Sequence, residues 1–234
     1  MTPEQAENTL ALYLEVEDRL ASILDIVPYA TQNETVSLPK LSSIIVEAGS
    51  LVDAVFREQV QTSKKRDDLN ISDFADFFER TRKLSSIRTL TYRWPHRLLR
   101  PFEPWSRRDT RNAPARLVWW DAYNRLKHQR LAEIPLSTLH HSVHSVCALH
   151  QVLSQLPDFL PHLHRHDLIA SRLYDVDYLI RAVSRGEPLN GFVMMESRLF
   201  GTPIGQRRFP ADISKISDAD TWSERLGKVL AQNA

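Results

Sequence analysis

The sequence predicts a mainly α-helical bundle with a long Pro-rich loop and a small C-terminal β-containing appendage. Three observations carry that expectation. Only 6 of the 234 residues are Gly, too few for the tight turns of an all-β chain. Long stretches place apolar residues three and four apart, the spacing of an amphipathic helix. Pro95, Pro101, Pro104 and Pro114 crowd one stretch and break any helix there.

The first helix has Thr2 as cap and Pro3 in the first turn. Leu10, Tyr13, Leu14, Glu17, Leu20, Ile23, Leu24 and Val27 recur at helical spacing along one face, and Pro28 ends it. The second, capped near Ser37 and running to about Gln61, carries the stripe Leu41, Ile44, Ile45, Ala48, Leu51, Val52, Val55 and Phe56. Gly49 lies beside that stripe, so another helix can approach closely there. A charged linker, 63–70, leads to a short helix capped by Ser72, with Phe74, Phe77 and Phe78 inward. Residues 85–113 read as a loop with a short extended piece around Thr89 to Trp94, and a loop this long is more often functional than incidental. Helices are then expected from Pro114 to Leu131, after a cap at Ser137 with Leu139, Val143, Val146, Cys147, His150 and Leu153 on one side, and over 167–183. Beyond Gly186, strand is expected over 189–200, turns at Gly201, Pro203 and Gly205, a return strand at Arg207 to Phe209, and a last helix with Trp222, Leu226 and Leu230. The expected division is a helical bundle over 1–155 and an extension over 156–234.

The net charge is +1, which excludes a polybasic or strongly acidic chain, but the charge is unevenly spread. Residues 1–40 hold seven acids against two bases, a balance of −5. Residues 88–130 hold eleven cations against three acids, a balance of +8, and offer a candidate anion-binding surface. The single Cys147 excludes an internal disulfide framework and a multi-Cys zinc site, and suits a reducing compartment. The polar, acidic first ten residues do not resemble a secretory signal, and no apolar run approaches the length of a membrane span. A cytoplasmic location without membrane attachment is expected.

The most distinctive stretch is Pro114 to Leu131, PARLVWWDAYNRLKHQRL. On a helix, Trp119, Ala122, Tyr123 and Leu126 share one face with Arg130, while Asp121, Asn124, Arg125 and His128 share another. On the bland account the first set is core and the second a solvated face. On the functional account Asn124 and His128, one turn apart, point together at a ligand. His128 would move protons, and Asn124 would fix its tautomer or bind a substrate oxygen. Lys127, Arg125, Arg130 and the loop cations Arg93, Arg97, Arg107 and Arg108 would hold phosphates, and Trp94 and Trp105 would stack on bases.

The helical layout and the YNRLKHQR segment, residues 123–130, resemble the HEPN superfamily of helical bundles. The resemblance spans about residues 1–155. It implies a nucleic-acid-binding protein, with RNA as partner, of a bacterial defence or toxin system. Active members cut RNA without a metal or cofactor, using an Arg, a polar residue and a His. Carried over, the His is His128 and the polar residue Asn124. The Arg would stand at 121, 122 or 123, where this chain has Asp121, Ala122 and Tyr123. The resemblance therefore implies either a lost ribonuclease, a site whose cation comes from elsewhere, including a second copy in a homodimer, or a bundle that only binds. The alternative is a non-catalytic helical module that assembles with a partner protein. A small-molecule nucleotide binder is a third reading.

Other constellations are weaker. His140, His141, His144, His150, His162, His164 and His166 lack acids at matched spacing, so solvated histidines are expected rather than a metal site. Cys147 sits on an apolar face and reads as a buried structural thiol. Ser197 has no acid–base partner that the sequence can place.

Overall fold

In the first helix, α1 (Pro3–Leu24), the Thr2 side chain accepts from the Gln5 N–H at 3.2 Å while the Gln5 side chain accepts from the Thr2 N–H at 2.8 Å. This capping box satisfies two backbone donors that the helix itself leaves without partners. The structure is a computed structural model that describes residues 1–64, 68–93, 95–108, 113–169, 175–187, 189 and 193–205. The expected return strand at 207–209 and the last helix around 222–230 lie outside the described residues.

The described residues form a mainly α-helical structure with a small antiparallel sheet. α2 (Pro39–Lys64) is longer than expected and is not capped by Ser37, whose hydroxyl donates instead to the Ile134 carbonyl at 3.2 Å. Gly49 has the expected purpose: a Cβ built on it would lie 2.4 Å from Cγ of Tyr123. α3 (Ile71–Thr81) is capped by Asn70 rather than Ser72, because the Asn70 side chain reaches the N–H groups of both Ser72 and Asp73. α4 (Val118–Gln129) starts four residues later than expected, because Pro114 forms a bridge with Arg108 that holds this stretch extended. α5 (Leu139–Gln155) is capped by Thr138, and every residue of it except His140, His141 and His144 is buried. It is the central element, in contact with α1, α2 and α4.

α6 (Leu160–Arg165) and α7 (Val176–Arg185) follow. The helix expected from 167 begins only at Val176, and Asp167 itself adopts a left-handed conformation, φ +55°.

The sheet combines two distant pieces of chain. β1 (Thr89–Thr91) and β2 (Leu98–Leu99) come from the Pro-rich loop, and β3 (Met194–Glu196) and β4 (Phe200–Pro203) from the C-terminal part. The order is β2-β1-β4-β3, all antiparallel, with Leu90 opposite Leu98 and Gly201, and Thr91 opposite Phe200. Gly201 and Pro203, expected in turns, are therefore strand residues. Gly201 is needed because a Cβ there would lie 2.2 Å from the Tyr92 hydroxyl oxygen. α5 backs this sheet with two amides: Gln151 donates to Thr89 Oγ1 at 2.9 Å and Gln155 to the Pro203 carbonyl at 2.7 Å. One hydrophobic core runs through both pieces, so packing is continuous across residue 155.

Candidate functional site

α4 presents two faces because its aromatic residues are grouped. Trp119, Trp120, Ala122, Tyr123 and Leu126 are buried against α2 and α5, with Trp119 and Trp120 edge-on at 5.6 Å. That leaves Asn124, Arg125 and His128 facing outward, and they line an open depression of about 390 Å³ together with Gln129 and Glu133. His128 is exposed and Asn124 half-buried. The Arg125 guanidinium donates to Glu133 at 2.6 Å. Lys127 leans the other way, donating to the Tyr123 hydroxyl at 3.0 Å with Asp53 at 4.0 Å, and the bond to Tyr123 raises its pKa. Arg130, expected among the apolar residues, is exposed and has no charged partner among the described residues.

The described residues of the loop contribute no side chain to the lining of the depression. Arg93 pairs with Asp25 at 2.8 Å. Arg97 pairs with Glu34 at 2.5 Å and lies 4.5 Å over the Tyr29 ring. Arg108 pairs with Asp76 at 2.9 Å, and Arg107 lies 3.6 Å from Glu103. The acids facing Arg93 and Arg97 come from the acidic first 40 residues, so the two charge blocks of the sequence cancel where they meet. This corrects the expectation of a free cationic loop, since a carboxylate so close removes most of the field a phosphate would feel. Trp105 needs the same correction. Only 2% of it is exposed, and it packs 4.9 Å from Phe102 and 5.9 Å from Phe56, so no base can stack on it. Trp94 lies outside the described residues.

No family model, characterised protein or solved structure matches this chain.

The histidines are not a uniform solvated set, contrary to expectation. His162 and His166 both reach Glu7 of α1, at 2.5 and 2.7 Å, with Arg165 at 3.3 Å. Hydrogen bonds from His166 and His162 lower the Glu7 pKa. His140 stacks on His144 at 4.2 Å, one turn along α5. Among the described residues no group of three His, Cys, Asp or Glu is placed to hold a metal ion. Cys147 is buried, and burial pushes its thiol pKa up, away from reactivity.

Ser197 does have acid–base partners, which the sequence did not indicate. Its hydroxyl donates to Glu17 Oε1 at 2.5 Å, lies 3.0 Å from the Tyr13 hydroxyl, and is 3.4 Å from His150 Nδ1. Tyr13 is itself 2.7 Å from His150 Nδ1, and the Leu199 N–H donates to Glu17 at 3.1 Å. Burial raises the Glu17 pKa and lowers that of His150 to about 3, so the imidazole is neutral near pH 7. Glu17, His150 and Tyr13 are essentially inaccessible. The cluster therefore joins α1, α5 and the β3–β4 hairpin as a polar lock, with Ser197 half-buried at its edge. Glu17 and His150 stand in apolar helical stripes, the one hint the sequence offers.

No helix of the described residues is long and apolar enough to cross a membrane.

Proposed function

We propose that this chain is a HEPN-like protein that binds nucleic acid, RNA in particular, in a bacterial defence or toxin setting. The contact surface is the exposed face of α4 and not the Pro-rich loop. The observation that carries this reading is that Asn124 and His128, one turn apart, line the same open depression beside Arg125. An imidazole, an amide and a guanidinium are a set that can bind a phosphodiester and move a proton at it. Arg130 adds an exposed cation, without a charged partner among the described residues, at the end of the helix.

Cleavage is the further step of this reading. The ribose 2′-oxygen would attack the adjacent phosphorus while His128 takes or gives the proton, and the 5′-oxygen would leave. The products are a 2′,3′-cyclic phosphate and a 5′-hydroxyl. A cation must stabilise the charge on the phosphorane. The chain lacks Arg at 121–123, and Arg125 is held by Glu133.

Ion pairing of the loop cations, together with Leu131 at 91% exposure beside Arg130, supports a second reading as a module that docks a protein partner. One experiment separates the two: binding of a fluorescent single-stranded RNA across a salt series. The nucleic-acid reading expects affinity that falls steeply with salt and weakens in Arg125→Ala and Arg130→Ala. No binding at low salt leaves the docking module. Cleavage, if seen in the presence of a chelator, should produce cyclic-phosphate ends and disappear in His128→Ala. Full cleavage by that variant overturns the role of His128.

A further inference from the structure

The depression contains a charge of the wrong sign for its proposed ligand, and that charge is the less mobile half of its pair. Glu133 is fixed by its backbone: its N–H donates to the Gln129 carbonyl at 3.0 Å, and its own carbonyl accepts from the Leu136 N–H at 2.9 Å. Its side chain is only 17% exposed, whereas that of Arg125 is 58% exposed. Arg125 is a long side chain on a regular helix and can swing without moving the backbone. The contact at 2.6 Å is a charge-assisted hydrogen bond. Carboxylate and phosphate oxygens make the same fork-like contact with a guanidinium.

We infer that the Glu133 carboxylate is a built-in competitor for the ligand's phosphate, so that nucleic acid binds only by drawing Arg125 away from it. This inference rests on the nucleic-acid reading above and adds the regulation of that site. Glu133 both occupies the cation and repels the incoming anion. RNA must then exchange one ion pair for another, and the resting site discriminates against free small anions that cannot also use Asn124, His128 and Arg130.

The test measures anisotropy of a fluorescein-labelled single-stranded RNA with the full chain over a salt series. Glu133→Gln should bind about two- to five-fold more tightly than the original chain, the range expected for releasing an exposed pair. Its salt slope should steepen by about 0.7, one further phosphate contact on a single strand. Adding Arg125→Ala to Glu133→Gln should erase the gain. Glu4→Gln makes the same change of net charge on the exposed first turn of α1 and should leave affinity unchanged. If Glu133→Gln loses the helical circular dichroism signal, Glu133→Ala, which also removes the carboxylate, takes its place with the same expectation. RNA binding by the original chain with equal affinity and slope in the Glu133 variant removes the competitor and leaves the nucleic-acid reading standing. An equal gain in Glu4→Gln also removes it. Absence of binding by every form at low salt removes both.

Discussion

The Pro-rich loop and the last turns of α4 are similarly basic in sequence but differ in the structure: Arg93, Arg97 and Arg108 of the loop pair with acids of distant segments, whereas in α4 Arg125 pairs with nearby Glu133 and Arg130 has no charged partner among the described residues. The loop carries Phe102 and Trp105 among its arginines, and both rings are buried with Phe56. Burying them brings the backbone down onto the bundle, within reach of Asp25, Glu34 and Asp76. In α4 the rings all lie on one face, so the opposite face is left outside with Asn124, Arg125 and His128. Where aromatic residues sit relative to cations decides which acids the cations meet. A linear count of charge does not.

That contrast breaks first at Trp105. Trp105→Ala should cost about 3–5 kcal/mol by urea unfolding, the usual effect of emptying an aromatic core site. Unchanged stability with lost RNA affinity would return the loop to the surface. The next effect is at His150 of the buried cluster. His150 has a pKa of about 3 in the folded chain, below its unfolded value, so the unfolded chain binds the extra proton between about pH 6.5 and 3. Stability should therefore fall as pH drops through that window. His150→Gln should flatten this fall in thermal melts. Third, Gly49→Ala should destabilise by roughly 1–3 kcal/mol, since its Cβ meets the Tyr123 ring and forces α4 off α2. An increase in melting temperature would mean that the two helices are not held so closely. The smallest effect is at the loop cations. Arg93→Ala should change stability by less than about 1 kcal/mol, as expected for an exposed pair, and leave RNA affinity unchanged. A loss of affinity equal to that of Arg130→Ala would erase the difference between the two regions.

Much of the fold could be read from spacing alone. The apolar stripes of α1, α2 and α5, the caps at Thr2 and the close approach at Gly49 are local signals, and a single helix face displays them. The amphipathic division of α4 was also legible, because Asn124 and His128 are four residues apart. What was not legible depends on contacts between distant segments. Ser197 and Glu17 are 180 residues apart, and no spacing rule brings them together. The pairing of Arg97 with Glu34 required knowing that the acidic first segment folds against the loop. Trp105 was misplaced for a related reason: aromatic residues among arginines read alike whether the rings stack on bases or on Phe102.

The sheet sets an order of assembly. During synthesis β1 and β2 leave the ribosome about a hundred residues before β4 does. Until β4 arrives, β1 has one edge without its neighbour, and Glu17 waits without Ser197. An unpaired strand edge beside an uncovered core is a site for self-association. A fragment ending at residue 155 should therefore scatter light and aggregate, while the chain carried past residue 205 closes the sheet and stays dispersed.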